Sequence, residues 1–316
     1  MHSMGQWWMW GGFVLFILFM LAIDLFLLSG KKIHRVSTRE ALSWVIVWVT
    51  LALLFNILLW FYLLQTTDSA TAHQKALEFF TGYLIEESLS MDNMFIFIMI
   101  FKYFSVPLEY QRRVLLFGVL GAIVMRLLLI LLGLWLVTKF HWILYVFGAF
   151  LLISGMKLLF LGEEDHSLER NPILYWMRKY LRVTKTFHQE QFFVRKANQL
   201  YITPLFLVLV LIETSDLIFA LDSIPAIFAI TEDPFIIFTS NIFAILGLRA
   251  MYFLLVNMAD RFHLLKYGIA LILTFIGLKM LIAYWVKIPI FISLIVIVAT
   301  LIISILFSLS HSRKEK

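Results

Sequence analysis

Nine stretches of the chain are long and apolar enough to cross a lipid bilayer as helices, a crossing that needs about 20 apolar residues. They lie at about residues 8–28, 42–64, 79–101, 114–137, 142–161, 203–230, 235–256, 264–284 and 288–309. The third and the sixth are interrupted by acidic residues, and the sixth is unusually long. The pattern predicts an all-α polytopic membrane protein with about nine transmembrane helices.

The composition favours the same class of protein. Of the 316 residues, 62% are hydrophobic and only 15% are charged, whereas soluble domains carry roughly 45–50% apolar and about 25% charged residues. The chain has no cysteine, which excludes disulfides and thiolate metal ligands. The first apolar run ends in a basic loop without a small-residue cleavage site, so we interpret it as an uncleaved span.

The distribution of basic residues predicts the orientation. Nineteen Lys and Arg side chains lie in the connections and the tail on one side of the predicted spans, and three lie on the other side. Because short cytoplasmic connections are enriched in Lys and Arg, we expect the N-terminus outside and the C-terminus in the cytoplasm. The net charge of +6 is spread over separate connections, which argues against a nucleic-acid partner.

The predicted spans divide the chain into five regions. These are residues 1–64 with two N-terminal spans, 79–161 with a first three-span repeat, 162–200 as a cytoplasmic loop, 201–284 with a second, inverted repeat, and 285–316 with the ninth span and a cytoplasmic tail. Inside the loop we expect a short interfacial helix at 172–182. A small hairpin is expected from Phe192 to Ile202.

The internal repeat relates spans three to five to spans six to eight. The matched positions are Glu86 and Asp216, Asp92 and Asp222, Arg126 and Arg249, Tyr145 and Tyr267, and Lys157 and Lys279. Each copy holds three spans, an odd number, so the two copies should be inverted in the membrane. Inverted repeats with a site near the bilayer midplane are typical of secondary transporters.

Six acidic side chains lie inside two of these spans. They are Glu86, Glu87 and Asp92 in span three, and Glu213, Asp216 and Asp222 in span six. Each central charge costs roughly 2.5–3.5 kcal/mol on insertion scales, so protonation, ion pairing or a bound cation must compensate it. Pairing with Arg126 and Arg249 explains part of the cluster, but two arginines cannot neutralise six carboxylates. We therefore predict a pathway for a cation or for protons.

The residues beside the acids predict an oxygen-rich site. The predicted metal ligands are Glu86, Asp92, Asn93, Glu213, Asp216, Asp222 and Ser223, with Glu87, Arg126, Asn241 and Arg249 as supporting residues. Acids six positions apart diverge on a regular helix, so we expect Pro225 to break span six and bring Asp216 and Asp222 onto one cavity. Oxygen ligands suit Mg²⁺, Ca²⁺ or Mn²⁺. The residue types do not choose among these three ions.

Two long motifs, LIEESLSMDNMFIF in span three and ETSDLIFALDSIPAIFAIT in span six, resemble the paired signatures of the TerC family. The likeness extends to FFVRK in the loop and TSNIFAILGLRAMYF in span seven. It is strongest toward the manganese-exporting branch of that family. The resemblance implies export of Mn²⁺ across a bacterial inner membrane, with the family's acids at Glu86, Asp92, Glu213, Asp216 and Asp222. Glu87 departs from the Lys-like residue that the family pattern implies at that position.

The function expected from the residues and the resemblance together is that of a secondary transporter that exports Mn²⁺ as its substrate. No enzymatic activity and no organic cofactor are expected, and the partners are membrane lipids, the divalent metal and, in a coupled mechanism, protons. The chain has no GxxxxGK[ST] stretch, which disfavours an ATP-driven pump. Two alternatives stay open: an exporter of cationic small molecules such as amino acids, and a non-transporting scaffold in metal or tellurium resistance. The oligomeric state is also open.

Overall fold

The computed structural model describes residues 4–28, 37–140, 142–160, 172–184, 186–196, 199–256, 265–283, 285–286 and 288–312. These residues form ten helices and one two-stranded sheet. The helices are α1 (Trp7–Leu28), α2 (Thr38–Thr66), α3 (Ser69–Tyr103), α4 (Leu108–Lys139), α5 (Ile143–Phe160), α6 (Pro172–Tyr180), α7 (Pro204–Phe228), α8 (Pro234–Val256), α9 (Leu265–Ile282) and α10 (Ile290–Ser312). The strands are β1 (Phe193–Lys196) and β2 (Gln199–Ile202).

Seven of the described helices are long and apolar enough to cross a membrane, namely α2, α4, α5, α7, α8, α9 and α10. Helix α3 is long enough, but its charged residues lower its hydropathy, and α1 has only a shorter apolar stretch, Trp7–Ile23. The predicted class of an all-α polytopic membrane protein is confirmed. The long helices follow the nine predicted spans, although nine crossings and the division into five regions stay predictions.

The connection between α5 and α7 contains the two small elements expected from its sequence. Helix α6 buries Leu174 and Met177 and exposes Tyr175 and Trp176, so it is amphipathic. Strands β1 and β2 pair as an antiparallel hairpin, with Phe193 opposite Ile202. The acidic start of this loop at 161–171, the basic connection at 29–36 and the tail at 313–316 lie outside the described residues.

Helix α7 is continuous from Pro204 to Phe228, so the predicted break at Pro225 is wrong. Proline removes one backbone donor and crowds the carbonyl four residues earlier. Pro225 lies only three residues before the helix end, however, so little helix follows it that could be disrupted. Asp216 and Asp222 thus share one regular helix, on which six positions correspond to a rotation of about 240°. Helix α3 is likewise unbroken through Glu86 and Asp92.

Helix α8 lies at the centre of the bundle. Every side chain from Phe235 to Phe253 is buried, which is typical of a helix surrounded by other helices. Helices α2, α3 and α4 pack against it. Because α8 carries Asn241 in this core, that amide must find its partners inside the protein.

Contacts along the helices fix their relative directions. Helices α4 and α7 run parallel, since Gly118 lies beside Ile212 and Gly133 lies beside Phe228. Helices α3 and α8 also run parallel. Helices α5 and α9 run antiparallel and approach closely, with Gly148 of α5 against Gly277 and Met280 of α9. In an inverted repeat α3 corresponds to α7 and α4 to α8, and corresponding helices run in opposite directions. Since α3 and α4 are consecutive and cross in opposite directions, α3 must then run parallel to α8 and α4 parallel to α7, as observed. The repeat itself stays a prediction.

Candidate cation site

The guanidinium of Arg126 joins three other helices at one buried point. Arg126 lies on α4 and is only 1% exposed. Its Nη1 donates hydrogen bonds to Glu86 of α3, to the Ser223 hydroxyl of α7 at 2.9 Å and to the Asn241 carbonyl oxygen of α8 at 3.0 Å. Its Nη2 donates to Asp216 Oδ1 of α7 at 3.4 Å. Four oxygen atoms from three helices therefore surround one cationic group.

Local helix geometry explains why these oxygen atoms converge. Asp216 and Ser223 are seven residues apart on α7, about two turns, so they share a face. Asn241 is oriented by its own Nδ2, which donates to the Ile237 carbonyl at 3.1 Å. Ser90, one turn after Glu86 on α3, donates to Glu86 Oε1 at 3.4 Å. The side chains of Glu86 and Asn241 are thus each oriented by a hydrogen bond within their own helix.

The charges and hydrogen bonds of this cluster are only partly matched. Glu86 and Asp216 bring two carboxylates against one guanidinium, and all three groups are buried. Glu86 Oε2, Asp216 Oδ2 and Arg126 Nε have no hydrogen-bond partner among the described protein groups. A buried polar atom without a partner is costly, so these atoms mark a place where a further ligand would be stabilising.

Of the six acids predicted inside the spans, three others with described side chains diverge from Arg126. Glu213 lies against Gly121 of α4, and a Cβ at that position would overlap the carboxylate where it now lies. Asp222 faces Ser154 of α5, and its Oδ1 has no hydrogen-bond partner among the described groups. Glu87 points toward α8, where its carboxylate lies close to Gly247. None of these three acids forms an ion pair with Arg126, whose charged partners are Glu86 and Asp216.

A small cavity lies beside the cluster, toward the end of the bundle where α3 ends and α4 begins. Its volume of about 10 Å³ leaves room for about one water molecule. Glu213, Asp216 and Arg249 provide its charged wall, and apolar side chains from α3, α4, α7 and α8 provide the rest. Asp216 therefore belongs both to the Arg126 cluster and to the wall of the cavity.

A second polar network closes the opposite end of the bundle, where α3 begins and α7 ends. Lys75 Nζ lies 2.7 Å from Glu78 Oε2 and 3.9 Å from Asp233 Oδ2. The Thr231 hydroxyl donates to Glu78 Oε2 at 2.6 Å. Asp233 also accepts the backbone N–H of Met4 at 3.0 Å. We call these four side chains, Lys75, Glu78, Thr231 and Asp233, the Glu78 network; it connects the start of α3 to the connection between α7 and α8.

The structure brings together only some of the predicted site residues. Glu86, Asp216 and Ser223 meet at Arg126 and Asn241. The remaining predicted residues lie outside this cluster: Glu87, Asn93, Glu213, Asp222 and Arg249. The side chain of Asp92 lies outside the described part of the structure. Among the described residues, no three acidic or histidine side chains are grouped closely enough to hold a metal ion.

Sequence reasoning missed the Glu78 network and the close contact at Gly121. A signal for the network was available, because Glu78 lies just before one predicted span and Asp233 just before another. No local signal pairs either acid with Lys75 or Thr231. The contact between Gly121 and Glu213 joins α4 to α7, and only the packing of those helices reveals it.

The fold and the site define a polytopic α-helical membrane protein with a buried carboxylate–arginine centre. The chain belongs to the TerC family of integral membrane proteins, because the family profile described as "Integral membrane protein TerC family" matches residues 71–316. This match confirms the family resemblance of the two acidic motifs.

Several relatives match over nearly the whole chain. Proteins named "Putative membrane-bound redox modulator Alx" from Shigella flexneri and Escherichia coli (strain K12) are each 54% identical over 308 residues, covering 98% of this chain and 96% of theirs. The "Uncharacterized membrane protein STKORF319" of Myxococcus xanthus is 44% identical over 311 residues, covering 98% of this chain and 95% of its own. No solved structure matches the chain.

Proposed function

We propose that this protein is a secondary transporter that exports Mn²⁺ from the cytoplasm through the buried carboxylate cluster. The observation that supports it most is that four oxygen-bearing side chains converge on one cationic group, the Arg126 guanidinium, in the bundle core. They are Glu86, Asp216, Ser223 and Asn241. Carboxylate, hydroxyl and amide oxygens are ligands that hard divalent cations take. The choice of Mn²⁺ among such ions comes from the family resemblance.

The proposed orientation gives the two ends of the bundle different roles. In a bacterial inner membrane with the N-terminus outside, the cavity beside Glu213 and Asp216 faces the cytoplasm. The Glu78 network then closes the outer end. A metal ion would enter from the cavity side, and release would require the outer network to open. Rocking of the two three-helix units against each other is the motion that an inverted repeat would allow.

Proton coupling is part of the proposal. Glu213 and Asp222 lie near the pathway but outside the Arg126 cluster. Carboxylates that release a proton when the metal arrives, and take one up when it leaves, would couple the two fluxes. The chain has no P-loop motif for ATP, so a gradient is the proposed energy source.

The relatives' name mentions redox modulation. This chain has no cysteine, so it cannot itself exchange thiols and disulfides. Movement of a redox-active metal is a function that agrees with both the acidic site and that name. No enzymatic activity and no organic cofactor are part of the proposal.

The test is transport by the purified protein in vesicles that contain a Mn²⁺-sensitive dye. We expect flux from wild-type protein and a loss of at least about tenfold in Glu86→Gln and Asp216→Asn, because each variant removes one charged ligand. Glu190→Gln is the matched control, since Glu190 pairs with Arg113 at 3.6 Å outside the site. Flux equal to wild type in both site variants would refute the proposed pathway.

The same assay separates the two alternatives. Absence of Mn²⁺ flux from correctly folded wild-type protein would sink the transporter proposal and favour a scaffold. Competition by lysine, without competition by Mg²⁺ or Ca²⁺, would favour a cationic small-molecule exporter. Orientation is tested separately, by labelling cysteines introduced at the two ends of the bundle from either side of the membrane.

A further inference from the structure

The position of Arg126 has a meaning beyond charge neutralisation. All four of its partners contribute oxygen atoms, from two carboxylates, a hydroxyl and an amide. This is the donor set that a divalent cation would take from the same residues. The guanidinium therefore occupies the position at which the oxygen atoms of three helices are directed.

The bonding of Arg126 is incomplete for a purely structural ion pair. A strong arginine–carboxylate pair is bidentate, with two parallel hydrogen bonds. Here Glu86 and Asp216 each present one oxygen to the guanidinium, and the second oxygen of each lacks a protein partner. Arg126 Nε also lacks one. Each carboxylate thus retains an oxygen with which to hold a different cation.

The side chain of Asn93 adds to this pattern. Asn93 lies seven residues after Glu86 on α3, about two turns, and therefore on the same face. It is only 1% exposed, and its Oδ1 has no hydrogen-bond partner among the described groups. A buried carbonyl oxygen of this kind is a candidate ligand that Arg126 does not use.

We propose that the guanidinium of Arg126 is an internal substitute for the transported cation. It occupies the oxygen site while no metal is bound and withdraws when the metal arrives. This inference rests on the proposed function and names one residue that governs it. The physical reason is that an empty site would otherwise hold Glu86 and Asp216 as buried carboxylates without a counter-charge, which is strongly unfavourable.

The substitute has a consequence for the transport cycle. After releasing its cargo, an exporter must return its empty site to the cytoplasmic side. With Arg126 in the site, the returning carboxylates stay neutralised. Without Arg126, the site can change between its outward-facing and cytoplasm-facing states easily only while a metal ion is bound. Net flux needs the empty return step, whereas exchange of metal for metal does not, so removing Arg126 should separate the two processes.

The experiment compares wild-type protein with Arg126→Gln and Arg113→Gln in the same vesicles. Arg113 lies on the same helix and pairs with Glu190 near the surface, so its variant loses one arginine away from the site. Net Mn²⁺ flux and Mn²⁺/Mn²⁺ exchange are measured with radioactive manganese. Mn²⁺ affinity is measured by titration of the purified protein.

Arg126→Gln should bind Mn²⁺ at least about tenfold more tightly than wild type, because the metal no longer competes with an occupied state of the site. Its net flux should fall at least about tenfold while exchange persists, since the empty site returns with uncompensated charge. Arg113→Gln should match wild type in all three measurements.

Two results would overturn the inference while leaving the proposed function intact. One is wild-type Mn²⁺ affinity together with a wild-type ratio of net flux to exchange in Arg126→Gln. The other is joint loss of binding, exchange and net flux, which would make Arg126 a structural residue. If wild-type protein itself does not move Mn²⁺, the proposed function fails, and the two failures are thereby distinguished.

A second variant decides the matter if Arg126→Gln does not fold. Arg126→Lys keeps one positive charge, but its single ammonium cannot reproduce the planar fork that reaches both carboxylates. It should bind Mn²⁺ more tightly than wild type, by a smaller factor than the Gln variant. If a folded Arg126→Lys protein binds Mn²⁺ with wild-type affinity, the proposal that the Arg126 guanidinium takes the place of the metal ion is contradicted.

Discussion

The contact between Gly121 of α4 and Glu213 of α7 offers a sharp test of whether the Glu213 carboxylate belongs to the pathway. A Cβ atom at Gly121 would lie 2.5 Å from Glu213 Oε2 and nearer still to Oε1. Ordinary contact of a Cβ begins near 3.4 Å. Gly121→Ala therefore forces the carboxylate to move by roughly 1 Å, since non-bonded atoms repel steeply below contact distance.

Gly118 provides a matched control one turn earlier on the same helix. A Cβ there would meet Ile212 Cγ2 at 3.6 Å, an ordinary van der Waals contact. Both substitutions gain roughly 0.5–1 kcal/mol from replacing a helical glycine by alanine. The overlap falls on the far end of a flexible, half-buried side chain that can swing aside, so it should cost at most about 1 kcal/mol, the cost of an unfavourable rotamer. Gly118→Ala should be neutral or slightly stabilising.

The assay measures both melting temperature and Mn²⁺ flux in the two variants. A displacement of about 1 Å at a reacting or binding group can cost up to about a hundredfold in rate, so Gly121→Ala should lose at least about tenfold in flux. Gly118→Ala should retain wild-type flux. Equal flux in the two variants, with melting temperatures that show both to be folded, would refute a role of the Glu213 carboxylate in the pathway.

Three further predictions concern the rest of the bundle. Thr231→Val removes the 2.6 Å hydrogen bond to Glu78 and should lower the free energy of unfolding by about 1–3 kcal/mol. Hydrogen-exchange protection of the amides at the start of α3 should fall as well. Unchanged protection would exclude a closing role for the Glu78 network. Gly277→Ala places a Cβ 2.5 Å from a backbone nitrogen of α5 and should lower the melting temperature, unlike Gly12→Ala, which meets open space. Asp68 caps α3 by accepting a first-turn N–H, which holds the pKa of its carboxyl below the ordinary 3.8. Hydrogen-exchange protection of that turn should therefore be full above pH 3.8 and should fall as the pH drops through the lowered pKa. The Asp68→Ala variant should lack this pH dependence.

The helices could be predicted closely from the sequence because each long apolar stretch specifies a helix by its own composition. In lipid, the backbone must satisfy its hydrogen bonds internally, so a long apolar run can only be a helix. The hairpin and the short helix α6 were likewise readable from alternation and amphipathicity. The predicted break at Pro225 was wrong, because a proline near a helix end costs far less than one in the middle.

The candidate site could be predicted only as a set of residue types. The two acidic motifs lie in the two spans that supply the carboxylates, and matched positions in the chain singled out Arg126 and Arg249. Arg126, which occupies the centre of the site, was predicted only as a supporting residue. Ion pairing was weighed from the sequence by counting charges, and such a count cannot say which acids an arginine reaches.

The sequence by itself determined the membrane class, the family, the helices and the acids that a membrane protein would not bury without a purpose. Only the tertiary structure decided which of those acids meet. The partners of Arg126 lie 40, 90, 97 and 115 residues away along the chain, on three other helices. Hydrophobic periodicity specifies each helix locally, whereas the meeting of side chains depends on how the helices pack. That packing placed Arg126, rather than an open gap, between Glu86 and Asp216.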